Sequence, residues 1–451
     1  MFDLFKPKLP LALSEKIWIE RRIGWLAERF GIHRLTKAEV ILPTRQFFPD
    51  EYRNREEDVP PLFRQVCKHM GVDAAEIELQ FLSDNETTKM GLYVPGDHPI
   101  IAVHRFQLVD QEGMIATMTH EIAHHILLGR KHLSGKEADM EQLTDLLPVF
   151  MGLGIFGAND VIQERQHRMG NLWFYQAGKK GYLTGREHGY ALAVCAWLRH
   201  ETRPPWAWYL ALDAKKAFQQ GLRYLLKTGD ALLDRDRAVQ EPKPPTGGVL
   251  QRHLESGRPS ERLFAIQSVA NERLEAAVYL PHHAAVLVAS LRTSLTDSEP
   301  NIRSESATAL KRLSTEAAIA LPDLIEALRD PVSEVKIEAA LAIGAIAQPE
   351  QGIVEMLASL LVDDDRLLVR AAAEAISRLK VESEATTRLA LDALRPALAE
   401  CDDDRVNHLV AAIVATSAEP RAAIKQRFDG NREFCNPALE ALRSLTGAIA
   451  P

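Results

Sequence analysis

The sequence has few cysteines and no long apolar run, and both absences restrict the classes of protein it fits. Four cysteines occur in 451 residues, at positions 67, 195, 401 and 435, and none forms a C-x-x-C pair. This usage favours free thiols in a reducing compartment over a disulfide framework. No segment approaches 18 uninterrupted apolar residues, and the N-terminus lacks the apolar core of a signal peptide. We therefore expect a cytoplasmic protein with no membrane partner.

An excess of basic charge is also absent. The chain carries 54 Lys and Arg against 62 Asp and Glu, a formal net charge of −8. This balance gives no indication of a nucleic-acid partner. Hydrophobic residues make up 46% of the chain, which is enough to build more than one ordinary globular core.

A change in composition divides the chain in two. The segment "RAVQEPKPPTGGVLQ" crowds prolines and glycines together, and such a segment cannot continue a helix. We predict an N-terminal domain over 1–236, a linker over 237–251 and a C-terminal domain over 252–451. The first domain mixes helix-like patterns with three strand-like segments, "AEVILP", "IELQFL" and "PIIAVH", which predicts an α+β fold.

The C-terminal part contains a gapless 33-residue repeat with three clear copies. Matching positions carry the same residue types: Leu295, Leu328 and Leu361; Asp297, Asp330 and Asp363; Ile302, Val335 and Leu368; Ala307, Ala340 and Ala373; Leu310, Ile343 and Ile376. We predict a helix pair in each copy, with the Asp forming the turn and capping the next helix. Weaker copies occupy about 254–270 and 394–415. The pattern resembles a HEAT-repeat array, or its close relative with armadillo-type stacking, and the resemblance implies an all-α solenoid whose concave surface binds a protein partner.

The segment "THEIAHHILLGR" contains the motif H-E-x-x-H. Residues four apart lie on one face of a helix, so His120 and His124 can bind one Zn²⁺ together. In this motif Glu121 lies beside the metal and acts as a general base. His125 points about 100° away around the helix, and we do not expect it to be a ligand of the same ion.

The sequence offers more than one candidate for the third ligand. A catalytic zinc needs three protein ligands. The extended motif that ends in a third histidine fails, because leucine and arginine occupy positions 127 and 130. The alternative is a carboxylate from "EADMEQLTDLL" on a following helix, predicted near 137–151. Glu141 is the preferred residue there, and Asp145 and Glu137 are the alternatives.

H-E-x-x-H followed on a later helix by E-x-x-x-D resembles the gluzincin metallopeptidases, the thermolysin-like clan. The resemblance covers about 105–160 and depends on five residues. It implies a zincin-like α+β domain that hydrolyses peptide bonds in a peptide or protein substrate. It also implies that zinc is bound by His120, His124 and Glu141, with Glu121 as the base and Asp145 as the acceptor for the outer nitrogen of His120.

Two further hypotheses follow from the sequence. Peptide hydrolysis needs a donor for the developing oxyanion, and "GYLTGREHGYAL" offers Tyr182, His188 and Tyr190. We prefer Tyr190 to His188, although an ordinary core tyrosine fits the pattern equally well. Because the repeats make up close to half of the chain, the rival hypothesis is a non-catalytic interaction scaffold with a structural or vestigial zinc site.

Overall fold

The structure is a computed structural model of the full chain. It describes residues 7–37, 39–82, 90–160, 183–271 and 284–446, together with the backbone of two strands between 165 and 176. Contacts divide the chain into two compact units, Met1–Lys243 and Pro244–Pro451. The division falls within the Pro- and Gly-rich segment.

Helices are the main regular secondary structure among the described residues of the first unit. They are α1 (Leu13–Phe30), α2 (His33–Thr36), α3 (Val59–Met70), α4 (Gln111–His124), α5 (Met140–Phe150), α6 (Gly154–Asp160), α7 (Gly185–Leu198) and α8 (Leu212–Thr228). Helix α4 continues into a π-helical turn, His125–Gly129. Short 3-10 helices lie at Glu56–Asp58, Ala74–Glu76, Arg105–Val109 and Pro205–Tyr209. None of the described helices combines the length and apolarity needed to cross a bilayer.

The sheet structure of this unit is small, so the expected α+β class is reduced to two minor sheets in a helical fold. Strands β1 (Glu78–Leu82), β2 (Gly91–Val94) and β3 (Ile100–His104) form one sheet in the order β1-β3-β2. Strand β3 pairs parallel to β1 and antiparallel to β2. Strands β4 (Arg165–Met169) and β5 (Leu172–Gln176) form an antiparallel pair.

Two of the three predicted strands are present as β1 and β3, whereas "AEVILP" is not a strand. Its described residues, 39–43, form neither helix nor strand. The Ile41 amide instead donates to the Gly152 carbonyl, at 2.9 Å. Gly152 adopts φ +94°, and a side chain there would crowd the carbonyl of Glu39. The segment 39–43 therefore packs against the turn that follows α5, despite its β-like composition.

The core of the first unit includes apolar residues of α1, α4 and α7. Helix α1 also buries a charged pair, in which Lys16 Nζ lies 2.8 Å from Glu20 Oε1. Glu20 accepts further hydrogen bonds from the Tyr190 hydroxyl, at 2.7 Å, and from the Leu232 amide, at 2.8 Å. These contacts compensate the desolvation of the buried carboxylate and join distant parts of the sequence.

The second unit consists of helices in the part of the chain that the structure describes. They are α9 (Gly247–Leu254), α10 (Pro259–Asn271), α11 (Ala284–Ser294), α12 (Pro300–Leu313), α13 (Leu321–Ala327), α14 (Ser333–Ile346), α15 (Gln351–Ala358), α16 (Arg366–Leu379), α17 (Glu384–Ala399), α18 (Asp403–Thr416), α19 (Pro420–Arg427) and α20 (Arg432–Thr446), with 3-10 turns at Ser314–Ala320 and Ser359–Val362. Helices α10, α12, α14, α16, α18 and α20 pack in succession.

Small residues bring the repeat helices close together. Helices α12, α14 and α16 begin at successive 33-residue positions, and the matching alanines, Ala307, Ala340 and Ala373, are fully buried. A Cβ atom at Gly344 of α14 would lie 2.6 Å from Cα of Ala375 in α16. The predicted role of the small residues in close stacking therefore agrees with the packing.

The repeated aspartates have a different role from simple helix capping. Each binds the backbone amide two residues ahead, at Glu299, Val332 or Asp365, and these residues are themselves the N-caps. Each also pairs with a basic residue of an earlier helix: Arg262 with Asp297, Arg303 with Asp330, and Lys336 with Asp363. The aspartates thus shape the turn and bind one repeat to the previous one.

The Arg303–Asp330 pair provides a test of this interaction between repeats. Two guanidinium nitrogens of Arg303 lie 2.6 and 2.8 Å from the Asp330 carboxylate. We expect Asp330→Ala to lower the free energy of unfolding by about 2 kcal/mol, because it removes charged hydrogen bonds and leaves Arg303 half-buried without its partner. Urea unfolding of the full chain measures this change. Asp364→Ala alters an exposed residue near the equivalent turn of the next repeat and should cost far less.

The contribution of the Arg303–Asp330 ion pair to the free energy of unfolding depends on pH. Partial burial raises the pKa of Asp330, but hydrogen bonds from Arg303 and the Val332 amide outweigh it and hold the pKa below its ordinary value. The stabilisation is therefore complete above the unfolded-state pKa, near 4, and is lost as the pH falls through the folded-state pKa. If Asp330→Ala and Asp364→Ala lowered the free energy of unfolding equally, the proposed role of Asp330 would be wrong.

Candidate metal centre

Three side chains of the first unit converge as metal ligands would. His120 and His124 stand on one face of α4, and Glu141 reaches them from the first turn of α5. The Nε2 atoms of His120 and His124 lie 3.6 and 3.4 Å from Glu141 Oε2. One ligand atom from each residue falls within 4.8 Å of the others, and this is the metal-ligand cluster found among the described residues.

The donor set fits a zinc ion. Zinc bonds to imidazole nitrogen and carboxylate oxygen at about 2.0–2.2 Å, so tetrahedral ligands lie about 3.3–3.6 Å apart. The two distances to the Glu141 oxygen agree with that geometry. Two nitrogens and one oxygen make a three-ligand set that leaves a fourth position for water, as catalytic zinc sites do.

The structure separates the three carboxylates that the sequence left as alternatives. Asp145 lies on the outer side of His120, where its Oδ1 is 2.7 Å from Nδ1, and its Oδ2 accepts the Leu183 amide at 3.0 Å. Glu137 is exposed and interacts with Ser134. Glu141 alone among the three faces the inner nitrogens of both histidines.

These contacts shift the proton affinities of the cluster. Burial lowers the pKa of His120, but the hydrogen bonds that its imidazole donates to Asp145 and Glu141 outweigh burial and raise the pKa to about 10. Hydrogen bonds from His120 and His124 lower the pKa of Glu141 to about 2. The Glu141 carboxylate is therefore ionised, and an incoming cation displaces the additional proton of His120.

Helix α5 is held in place by a contact with α1. Asp139 immediately precedes α5, and its carboxylate binds Arg22 through two bonds of 2.6 Å. The Trp18 indole nitrogen donates to the same carboxylate at 2.7 Å. This bidentate ion pair fixes the start of the helix that carries Glu141.

His125 belongs to a different set of contacts from the two ligand histidines. Its Nδ1 lies 3.4 Å from the Tyr93 hydroxyl, and its Nε2 lies 3.6 Å from Glu76. The Tyr93 ring is also parallel to the ring of His124, with centroids 6.3 Å apart. Sequence reasoning missed Tyr93, because the short strand that carries it has no alternating pattern to mark it.

The two candidate oxyanion donors do not join the cluster in the way we expected. The Tyr190 hydroxyl is fully buried and donates to Glu20, so Tyr190 is corrected to a structural residue of the core. His188 is buried, with its Nδ1 3.2 Å from the Thr184 carbonyl. Burial lowers the pKa of His188 and favours its neutral form. Tyr182 lies outside the described residues.

Comparison with known proteins identifies the repeats. Residues 321–414 match the family model described as HEAT repeats. This match confirms the predicted repeat array over residues 321–414. Repeats of this kind commonly bind other proteins. No curated protein matches the chain.

Solved structures of repeat proteins show weak overall similarity. A designed armadillo repeat protein in complex with the peptide (KR)4 is 21% identical, with a TM-score of 0.34, over 44% of this chain and 100% of that chain. A Kap121p mutant is 14% identical, with a TM-score of 0.34, over 75% and 36%. An engineered protein is 15% identical, also at 0.34, over 95% and 98%. At these scores the HEAT assignment depends on the family match.

Zinc binding distinguishes the neighbouring histidines. We expect the wild-type chain to bind one zinc and His124→Ala to lose stoichiometric binding, because one of three ligands is removed. His125→Ala, one residue away, should keep the metal. Metal analysis after dialysis against zinc, with circular dichroism to confirm folding, measures both. Retention of tight zinc by the His124 variant would contradict the ligand set.

The outer partner of His120 should tune the affinity for zinc without setting the stoichiometry. Asp145→Asn keeps the size of the side chain but weakens the interaction that orients the imidazole. Loss of such partners typically lowers metal affinity by about 10- to 100-fold. Competition with a chelator measures the dissociation constant, and Glu137→Gln is the exposed control. An unchanged affinity would show that Asp145 does not act through His120.

Proposed function

We propose that the protein is a zinc-dependent metallopeptidase with a zincin-like N-terminal domain and a HEAT-repeat domain that binds its protein substrate or a regulator. The proposal is carried by one observation, the convergence of His120, His124 and Glu141 with Glu121 next to the first ligand. The substrate class comes from the resemblance to gluzincins in the H-E-x-x-H and E-x-x-x-D motifs.

Each residue of the cluster has a defined role in this mechanism. A bound Zn²⁺ supplies Lewis acidity to the scissile carbonyl and acidifies the attacking water. His120, His124 and Glu141 hold the ion, and Asp145 orients the His120 imidazole. Glu121 accepts the proton from the water and later delivers it to the leaving amine. Glu121 is buried, which keeps bulk water from competing for its carboxylate.

The repeat domain would bind the protein substrate or a regulator. Helix-pair solenoids present extended surfaces that bind other proteins. A substrate bound there would have a high effective concentration at the metal centre, provided that it reaches the site. The domain would therefore restrict hydrolysis to proteins that bind the repeats.

A non-catalytic scaffold is the second candidate, and the HEAT-repeat match favours it. In that case the metal centre would stabilise or regulate the first unit without hydrolysing anything. Glu121 is not a metal ligand in either function. It is the general base of the peptidase, whereas it has no catalytic role in the scaffold. A variant of Glu121 therefore separates them.

We expect Glu121→Gln to keep zinc and to lower peptide hydrolysis by at least about 100-fold, because an amide cannot accept the proton of the water. A library of proteome-derived peptides, analysed by mass spectrometry, supplies the substrates. Glu112→Gln, in the first turn of the same helix, is the matched control. If zinc-loaded wild type and Glu121→Gln give the same cleavage pattern, the scaffold function is the better description.

A further inference from the structure

Strand β2 crosses α4 at the proposed general base. Its first residue, Gly91, has no side chain, and the space beside its backbone is occupied by Glu121. A Cβ atom built at Gly91 would overlap Glu121 Oε1, and would lie 2.9 Å from Glu121 Cγ and 2.6 Å from Thr117 Cγ2. Such close approaches do not occur in real structures without a shift of one partner, so a side chain at position 91 and the present position of Glu121 are mutually exclusive.

The strand is held at its start and cannot easily move away. The Met90 carbonyl accepts hydrogen bonds from the His104 amide, at 2.9 Å, and from the Gln107 side chain, at 2.7 Å. The Gln107 side chain in turn accepts the Thr117 hydroxyl of α4, at 2.6 Å. This chain of hydrogen bonds connects the beginning of β2 to the same turn of α4 that precedes Glu121.

The strand is also held two residues later. Residues 91 and 93 lie on the same side of a strand, so Tyr93 faces α4 as Gly91 does. Its ring packs parallel to His124, and its hydroxyl approaches His125. The helix provides room for that hydroxyl at Gly129, where a side chain would overlap it. Thus β2 is fixed on both sides of Gly91.

We propose that Gly91 is a positioning residue that sets the location of the Glu121 carboxylate over the metal centre; this rests on the function proposed above. Because β2 is fixed, an added methyl group must be accommodated by the neighbours. The end of the Glu121 side chain is flexible and rotates away, whereas Thr117 is stiff at its branched Cβ. The displaced carboxylate would then be misplaced for proton transfer.

The test is Gly91→Ala in the full chain, compared with Gly96→Ala, whose added Cβ would meet only the His98 amide nitrogen at 4.0 Å. We expect Gly91→Ala to lower kcat by about 10- to 100-fold, because displacements of about 1 Å in an active site have effects of that size. KM and the zinc dissociation constant should stay unchanged. Gly96→Ala should match the wild type in all three.

A second variant separates positioning of Glu121 from simple crowding of Thr117. Thr117→Ser removes Cγ2 and keeps the hydroxyl that binds Gln107. We expect the double variant Gly91→Ala/Thr117→Ser to remain impaired, because the methyl group still meets the carboxylate. Recovery of the wild-type kcat in the double variant, or a normal kcat in Gly91→Ala, would overturn the proposal.

A measurement without substrate keeps this inference independent of the peptidase function. In the Thr117→Ser background, Gly91→Ala should lower the melting temperature when Glu121 is present. It should have a smaller effect when Glu121→Ala has removed the opposing atoms. If the effects of Gly91→Ala and Glu121→Ala on the melting temperature are coupled but the wild type hydrolyses no peptide, the peptidase function is refuted and the contact between Gly91 and Glu121 is retained. Hydrolysis without coupling would refute the role of Gly91.

Discussion

The hydrogen bond between His120 and Asp145 is the contact on which the geometry of the candidate metal centre depends. It joins α4 to α5, and the second oxygen of Asp145 accepts the Leu183 amide that leads into α7. Three segments that lie far apart in the sequence therefore meet at one carboxylate. The bond fixes the ring angle of His120, so Nε2 faces Glu141. Without it, the spacing of the two histidines on α4 would still hold, but their direction relative to α5 would not.

The sequence predicts best those features that depend on local periodicity. The i,i+4 spacing of His120 and His124 and the 33-residue repeat follow directly from helix geometry and short-range stacking. The role of Asp330 was predicted only in part, because its partner Arg303 belongs to an earlier helix. A turn residue can be recognised locally, whereas an ion pair between repeats requires knowledge of their stacking.

Features set by long-range contacts were missed or misjudged. Tyr190 has an apolar surround that fitted an inward-facing hydroxyl, but its partner is Glu20, 170 residues away. The segment after residue 38 has a strand-like composition, yet its Ile41 amide donates to the Gly152 carbonyl in the turn after α5. Strand β2 is four residues long and begins with glycine, so neither its length nor its composition marks it. Its importance comes only from the helix that it crosses.

The buried carboxylate of Glu20 has a consequence for how the protein is made. It lies near the start of the chain, but it accepts the Leu232 amide near the end of the first unit. A ribosome adds about 5–20 residues per second, so the helix with His120 and His124 emerges several seconds before this contact is possible. During that interval the two histidines are outside the ribosome without a completed core beneath them. A completed core beneath the candidate ligands therefore forms only after the chain has been made as far as Leu232.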